Sequence, residues 1–313
     1  MDRAIAAIGA LTVIVLGAGV APAAAACLPL DGPTDVPTAL VLSGGGAKGA
    51  WEAGVAATLM ERRVPIRLAA GSSAGALNAV MIADGRLDRL EAMWRSLRSE
   101  HVYSLRPSVL FSGLLPGWLT LLTLNRAGSL FDSQPLRELL GTSLDLDRVR
   151  ASSIRVIVVA SDLVRRDKRI FDNRTLTLEA LMAAVAVPGA FPPVAVDGAL
   201  LVDGGLTGRA PVLEALESGT SVRRAIVVLS YAPGERGGSP TTMRRALEEA
   251  FEMAMIHQIR RDTELARLKY PQVHIDLLTP SEPLALRPLD FDPPALARAL
   301  TRGRADAMTC LRG

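Results

Sequence analysis

A serine flanked by two glycines follows a short apolar stretch of this chain. Ser73 is the central residue of Gly71-Ser72-Ser73-Ala74-Gly75, directly after the strand-like run 66–70. A G-x-S-x-G between a strand and a helix predicts a sharp turn, because glycine lacks the Cβ atom that would clash there. The serine hydroxyl then lies at a helix N-terminus, where free N–H groups favour a developing negative charge. This pattern is typical of an acyl-transfer nucleophile.

Two further glycine-rich segments complete a candidate site. The apolar run 38–43 predicts a buried strand that leads into Gly44-Gly45-Gly46-Ala47-Lys48-Gly49. A loop of this kind presents several backbone N–H groups on one concave side. Downstream, the short strand 200–202 ends at Asp203, which Gly204 and Gly205 follow. We interpret the three segments as an oxyanion hole (Gly44, Gly45, Gly46 and Ala47), a nucleophile (Ser73) and a general base (Asp203).

In this order the three segments resemble the patatin-like phospholipase family. The segment 183–194, a helix followed by prolines, is a fourth match, and 129–136 is a weaker one. The resemblance covers roughly residues 37–280. It implies a three-layer α/β/α fold with a mostly parallel central sheet. It also implies a Ser73–Asp203 dyad that works without histidine and without a cofactor, cleaving fatty-acyl esters of (phospho)lipids.

Two positions of the site allow more than one interpretation. Arg209 stands where members of the family often carry asparagine, although the proline that follows, Pro211, is kept. Lys48 is either a phosphate clamp or a lysine at a helix N-terminus whose stem packs while the loop backbone binds the anion. We favour the second interpretation.

Other functions remain as alternatives. A Ser-Asp-His triad esterase acting on small soluble esters would use His257 or His274, but we expect these in a long helix and a strand rather than in a loop. A catalytically silent lipid-binding protein on the same fold is a further alternative. The loop 44–49 also satisfies the dinucleotide fingerprint, but no acidic residue ends the second strand, so nucleotide binding is disfavoured. No spacing of His, Cys, Asp and Glu predicts a metal site.

Composition indicates an aliphatic α/β core. Apolar residues make up 49% of the 313 residues but aromatic residues only 4%, which suits a parallel sheet buried by helices on both faces. The net charge is only +3, and no basic run interleaved with aromatics predicts a nucleic-acid partner. We expect a lipid substrate and a membrane surface as partners. The expected division is a signal peptide (1–26), a linker (27–37), the acyl hydrolase domain (38–280) and a C-terminal extension with one helix (281–313).

The N-terminal residues predict export. An apolar run, 5–20, follows Arg3 and precedes four alanines, which is typical of a cleaved signal peptide; an uncleaved membrane anchor is the alternative. The expected location is therefore the periplasm, the exterior or a membrane surface. The two cysteines, Cys27 and Cys310, favour a disulfide in such a compartment. Lipidation of Cys27 is the alternative, although Ala24 is a poor match to such a site.

Strand and helix signals alternate along the rest of the chain. The leucine-rich stretch 105–130, interrupted by prolines and glycines, is predicted as either a membrane-dipping lid or a broken pair of core helices. The remaining predicted strands are 154–161, an edge strand 169–171, 225–230 and 273–278. The remaining predicted helices are 47–62, 74–83, 86–98, 176–187, 239–269 and 295–309.

Overall fold

The computed structural model describes residues 35–112, 129–235 and 237–311. The predicted signal peptide, Cys27, most of the predicted linker and the central part of the leucine-rich stretch, 113–128, lie outside the described residues.

An eight-stranded sheet forms the centre of the fold, with the strand order β10-β9-β1-β2-β5-β8-β7 and with β6 paired to β5. Five strands, β1, β2, β5, β9 and β10, run parallel. The remaining pairings, of β5 with β6 and β8 and of β7 with β8, are antiparallel. The strands of the described residues are β1 (Thr38–Leu42), β2 (Ile66–Gly71), β3 (Ser104–Leu105), β4 (Phe131–Asp132), β5 (Arg155–Asp162), β6 (Asp167–Asp172), β7 (Val194–Val196), β8 (Ala199–Asp203), β9 (Arg224–Val228) and β10 (His274–Leu278).

Helices cover both faces of this sheet. They are α1 (Gly49–Glu61), α2 (Ala74–Asp84), α3 (Leu87–Ser96), α4 (Ser99–Val102), α5 (Pro107–Ser112), α6 (Gln134–Ser143), α7 (Leu146–Ala151), α8 (Leu178–Ala184), α9 (Val212–Glu217), α10 (Met243–Lys269) and α11 (Pro293–Cys310). Alternate residues of β1 enter two separate cores: Leu40 and Leu42 face one, and Ala39 and Val41 face the other. Because successive strand residues point to opposite faces, this alternation confirms the predicted three-layer arrangement.

The C-terminal helix packs against α1 at backbone distance. A Cβ atom on Gly303 would lie 2.0 Å from the carbonyl oxygen of Trp51, and one on Gly54 would lie 2.1 Å from that of Leu300. The indole N–H of Trp51 donates to Asp306 at 2.9 Å, which satisfies a buried polar group inside this contact. The helix of segment 281–313 therefore shares the core of the sheet domain.

Most predicted elements lie where the sequence places them, and the differences have local causes. The predicted helix 239–269 begins only at Met243, because the Thr242 side chain accepts from the N–H of Arg245 and caps it there. Thr177 likewise starts α8 later than predicted. The edge strand β6 pairs with β5 alone and confirms its prediction. The short strands β3, β4 and β7 were not predicted, because two or three residues carry too little periodicity to be recognised.

Among the helices within the described residues, none combines the length and the apolar character that crossing a bilayer requires.

We expect Gly303→Ala to destabilise the protein by about 1–3 kcal/mol, because the new methyl group must push the α1 backbone away from α11. The unfolding midpoint in urea measures this. Gly141→Ala is the matched control, since a Cβ atom at this helical glycine of α6 meets nothing within 4 Å. It should leave the midpoint unchanged or raise it slightly. Equal midpoints for the two variants would contradict the close packing of α1 and α11.

Candidate active site

The turn that carries Ser73 is strained and closely packed. Ser73 joins β2 to α2 with φ 53° and ψ −135°, a backbone region that non-glycine residues rarely occupy. A Cβ atom on Gly71 would lie 2.3 Å from the backbone of Gly75, and one on Gly75 would lie 2.4 Å from the carbonyl oxygen of Leu42. Neither flanking glycine could therefore carry a side chain without separating these backbone segments, which agrees with the prediction from the sequence. The Ser73 N–H donates to the Ala184 carbonyl at 3.0 Å, which fixes the turn against α8.

Asp203 reaches this turn because β8 runs antiparallel to β5. Asp203 pairs with Ala160, and β5 in turn pairs with β2 up to Gly71, which leads into Ser73. The carboxyl group is completely buried, and its Oδ1 accepts from the Gly205 N–H at 2.7 Å. Among the described residues, Oδ2 has no well-formed hydrogen bond. That oxygen is free to receive a proton.

The environment of Asp203 favours a base stronger than an ordinary aspartate. Burial raises the pKa of its carboxyl group above the usual value, because desolvation penalises the charged form. The positive charge of Arg209, the Gly205 N–H and the hydroxyl of Ser73 act in the opposite direction. Ser73 itself is only 5% exposed and Asp203 is completely buried, so both side chains lie in a nearly dry environment.

The glycine-rich loop lies on the Ser73 turn. A Cβ atom on Gly44 would lie 2.6 Å from the Ser72 carbonyl oxygen, and Gly44, Gly45 and Gly46 all have positive φ. Two of the four N–H groups predicted for the oxyanion hole are already engaged in this structure. That of Gly44 donates to Glu52 Oε1 at 2.8 Å, and that of Ala47 donates to the Pro288 carbonyl at 2.9 Å. The N–H groups of Gly45 and Gly46 have no acceptor among the described residues.

A buried polar network supports this loop from beneath. Glu52 accepts from Ser43 Oγ at 2.8 Å as well as from the Gly44 N–H, and Ser230 Oγ donates to the Gly44 carbonyl at 2.7 Å. Glu52 is completely buried, which raises the pKa of its carboxyl group to about 7, against the hydrogen bonds that lower it. Its Oε2 has no hydrogen-bond partner among the described residues. The network fixes the loop at the cost of a desolvated carboxyl group.

Arg209 connects the loop, the Ser73 turn and the Asp203 turn. Its carbonyl oxygen accepts from the Ser72 hydroxyl at 2.5 Å, so Ser72 bonds to a residue 137 positions away rather than to its own turn. Its guanidinium lies between the loop and the turn that follows Asp203. A Cβ atom on Gly45 would lie 3.4 Å from Nη2, and one on Gly205 would lie 2.9 Å from Nη1.

Lys48 is buried, and its amine lies among two carboxylates and an aromatic ring. Its ammonium lies 3.8 Å from Glu235, 3.7 Å from Glu252 and 3.7 Å from the ring centre of Tyr231. Burial lowers the pKa of this amine, although the two carboxylates partly oppose that shift. This geometry favours the second interpretation of Lys48, in which the loop backbone rather than the amine faces the anion.

The remaining glycines of the three segments make close backbone contacts. A Cβ atom on Gly204 would lie 2.0 Å from the Val159 carbonyl oxygen, and one on Gly49 would lie 2.9 Å from the Trp94 ring. The Trp94 indole donates to Asn78, whose side chain donates to the Gly49 carbonyl. These contacts hold α1, α2 and α3 together behind the site.

None of the histidines lies in the arrangement that a triad requires. His274 begins β10 and pairs with Arg224, the first residue of β9, whereas Ser73 follows the last residue of β2. Because these strands are parallel, His274 lies at the end of the sheet where the strands begin, whereas Ser73 lies at the end where they finish. His257 lies on the exposed side of α10, and the His101 ring accepts from the Arg98 N–H. Within the ranges that the structure describes, no group of three His, Cys, Asp or Glu side chains suits a metal ion.

Sequence reasoning missed Glu52, Ser230 and Pro288. Glu52 had a usable signal: it is the one charged residue in the small and apolar run 49–60, which predicts a buried helix. A carboxylate buried in such a helix needs hydrogen-bond donors close by. Ser230 and Pro288 gave no signal, because only tertiary structure brings them to the loop.

A family model described as patatin-like phospholipase matches residues 40–216, which is more than half of the chain. The chain belongs to the patatin-like phospholipase family. The match includes the glycine-rich loop, the Ser73 turn and Asp203, so the three segments assembled at this edge of the sheet are family segments.

Three relatives illustrate how far the similarity extends. Uncharacterised NTE family proteins of Mycobacterium tuberculosis and Mycobacterium bovis are each 33% identical over 190 residues, which is 60% of this chain and 48% of theirs. A patatin-like phospholipase domain-containing protein of Caenorhabditis elegans is 26% identical over 175 residues, 55% of this chain and 12% of its own length. The chain therefore spans about half the length of the mycobacterial relatives that it matches.

Two solved structures are similar to the patatin-like fold of this chain. VipD from Legionella pneumophila has a TM-score of 0.48 at 17% identity, covering 90% of this chain and 67% of VipD. ExoU, solved in complex with SpcU from Pseudomonas aeruginosa, has a TM-score of 0.42 at 18% identity, covering 90% of this chain and 54% of that one.

We expect folding stability to fall as the pH rises from about 4.5 to 7, because folded Glu52 binds its proton more tightly than unfolded Glu52 does. The loss from this one group is on the order of 3 kcal/mol. Glu52→Gln should remove that part of the pH dependence, measured as urea midpoints from pH 4 to 8. Glu138→Gln, an exposed change on α6, is the control and should keep the wild-type profile. Parallel profiles for wild type and Glu52→Gln would contradict the raised pKa.

Proposed function

We propose that this chain hydrolyses fatty-acyl ester bonds of lipids, with Ser73 as nucleophile and Asp203 as general base. Membership of the patatin-like phospholipase family supports a lipid substrate. The observation that carries the proposal is a fully buried Asp203 carboxyl group whose Oδ2 is available and whose pKa the nearby Ser73 hydroxyl lowers. No cofactor is needed for this chemistry.

The reaction proceeds in two acyl-transfer steps. Ser73 Oγ attacks the ester carbonyl while its proton passes to Asp203. The tetrahedral intermediate then collapses: the alcohol leaves with that proton, and the fatty acid remains bound to Ser73 as an ester. Water, deprotonated by Asp203, attacks this acyl-enzyme, and Ser73 recovers its proton as the fatty acid departs. The reaction therefore consumes one water and regenerates the dyad.

The oxyanion that forms in both steps needs hydrogen-bond donors that are not already engaged. We propose the N–H groups of Gly45 and Gly46 for this role, a narrower assignment than the four residues expected from sequence. Gly44 and Ala47 serve instead to hold the loop through Glu52 and Pro288. Removing one such donor typically costs about 10²–10³ in rate.

The position of His274 at the amino end of β10, away from Ser73, argues against a Ser-Asp-His triad. His274 lies at the amino end of β10, whereas the Gly44 loop and Ser73 follow the carboxyl ends of β1 and β2, and His257 is exposed on α10. A silent binding protein on this fold would have no need for the strained Ser73 backbone or for a desolvated base beside it.

We expect fluorophosphonate labelling and the release of fatty acid from a medium-chain ester to be lost together in Ser73→Ala. Asp203→Asn should lower both by about 10³ or more, because no base remains to accept the serine proton. His274→Ala and His257→Ala are the matched controls and should keep wild-type rates. A folded wild-type protein that neither labels nor turns over, with vesicles present, would contradict the enzyme assignment. Loss of activity in either histidine variant would favour the triad instead.

We also propose that the chain is exported and that Cys310 pairs with Cys27. Cys310 is buried at the end of α11 and forms a disulfide, and the chain contains two cysteines. Cys27 lies outside the described residues. Such a bond would close a loop of nearly the whole mature chain and tie α11 to the N-terminus.

We expect the mature protein to start near Cys27 and to show no free thiol in a non-reducing mass spectrum. Reduction should lower its stability by up to ~4 kcal/mol, because the disulfide limits the unfolded chain. Cys310→Ser in the reduced state should change little further. Two free thiols, or a diacylglycerol adduct on Cys27, would contradict the pairing.

A further inference from the structure

Arg209 carries a buried charge with which no side chain of the described residues forms a direct ion pair. The residue is 5% exposed, and none of the ion pairs or side-chain hydrogen bonds among the described residues involves its guanidinium. Other deeply buried cations are paired: Lys48 lies beside Glu235 and Glu252, and Arg224 bonds Asp276 at 2.7 Å. A buried cation without a partner is costly to folding, so its retention calls for a functional reason.

The two ends of this guanidinium lie at the two ends of the proposed reaction path. Nη1 lies beside Gly205, whose absent Cβ would be equally close, at 2.9 Å, to Asp203 Oδ1. Nη2 lies beside Gly45, one of the two proposed oxyanion donors. Glycine at both positions leaves room for the planar group, which spans from the base to the loop.

The charged and titratable groups around Arg209 are few. Asp203 faces it from β8, Glu52 from α1, Lys48 from the loop and Tyr231 from the segment after β9. Its charge favours the ionised forms of Asp203 and Glu52 and disfavours the charged form of Lys48. Around Asp203 itself, Arg209 is the charge that acts on the carboxyl group, beside the Gly205 N–H and the Ser73 hydroxyl.

During the proposed attack the site keeps one negative charge, but that charge changes position. Before attack the negative charge is on the Asp203 carboxylate. When Asp203 takes the Ser73 proton, that negative charge appears on the substrate oxygen at the Gly45 and Gly46 N–H groups. A histidine base would become positive and attract the oxyanion, but a neutral aspartic acid cannot. A fixed cation near both positions supplies the missing attraction at each stage.

We propose that Arg209 is a positioning residue of this acyl-transfer site, whose single cation serves both the Asp203 base and the oxyanion loop. This inference depends on the proposed function, because only dyad chemistry moves the charge along that path. The backbone carbonyl oxygen of Arg209 accepts from the Ser72 hydroxyl at 2.5 Å, which attaches this residue to the Ser73 turn before substrate binds.

The first test compares Arg209→Gln with Arg209→Lys in kcat/KM from pH 4 to 9 on a medium-chain ester. We expect Arg209→Gln to lose about 10²–10³ and its acid limb to move to higher pH, because Asp203 is then protonated more easily. Arg209→Lys keeps the charge and should recover much of the rate and the wild-type acid limb. Arg165→Gln, an exposed arginine in the β5–β6 turn, is the control and should match wild type. Arg209→Gln within threefold of wild type, or Arg209→Lys as damaged as Arg209→Gln with an equally displaced limb, would overturn the proposal.

The second test needs no turnover and separates this inference from the proposed function. Urea midpoints of Arg209→Gln, Asp203→Asn and the double variant form a double-mutant cycle. Coupling between Arg209 and Asp203 predicts shifts that are not additive at pH 8 and become additive at a pH low enough to protonate Asp203. If Arg209→Gln does not fold, the same cycle is run with Arg209→Met and with Arg209→Lys. Additive shifts at both pH values would overturn the coupling of Arg209 to Asp203 and with it the proposal. An inactive wild type with clear coupling would overturn the proposed function, and with it the catalytic role of Arg209, but not the coupling itself.

Discussion

The carboxyl ends of β1 and β2 touch backbone to backbone, and the site depends on that contact. Gly75 lies against the Leu42 carbonyl of β1, and Gly44 lies against the Ser72 carbonyl of the following turn. A Cβ atom at either glycine would fall within 2.6 Å of backbone oxygen, so a side chain at these positions would separate the two strand ends. The strained backbone of Ser73 persists because this packing determines it from several sides. The Ser73 turn and the glycine-rich loop can therefore pack this closely only because glycines without side chains stand at the contact.

Such close packing removes water, and the buried charges follow from that. Without water, the loop carbonyl of Gly44 and the N–H beside it must find protein partners, which Ser230 and Glu52 supply. Glu52 is then itself desolvated, and its pKa rises to about 7. The same dry environment raises the pKa of Asp203 and makes the charge of Arg209 effective at a distance that water would screen.

The fold and the positions of the three glycine-rich segments could be predicted because local sequence encodes them. Parallel strands with apolar residues on both faces give continuous apolar runs, and glycines with a serine or aspartate mark the turns that follow. What surrounds these segments was not predictable. Glu52 lies only eight residues from Gly44, to which it bonds. The Pro288 carbonyl, which packs against Gly46, lies 242 residues further along the chain, and no local sequence pattern predicts such a contact. Arg209 was visible as a departure from the family pattern, yet its central position depends on the antiparallel pairing of β8 with β5, which brings the turn after Asp203 to this site.

Under the proposed mechanism, this arrangement accounts for an aspartate in the place of a histidine base. An exposed aspartate is too weak a base for a serine, because its pKa lies far below neutral. Burial raises that pKa, but burial alone would also leave the carboxyl group protonated before it could act. A nearby cation limits this tendency without forming a tight ion pair, which would hold the lone pairs of the carboxylate. Arg209 fits both conditions, since its charge acts on Asp203 while its Nη1 and Asp203 Oδ1 lie on either side of Gly205 without a hydrogen bond between them. In the proposed mechanism, the protonation of Asp203 thus depends on its distance from the Arg209 guanidinium. The guanidinium must be near enough for its charge to favour the carboxylate, and far enough to leave Oδ2 open to the serine proton.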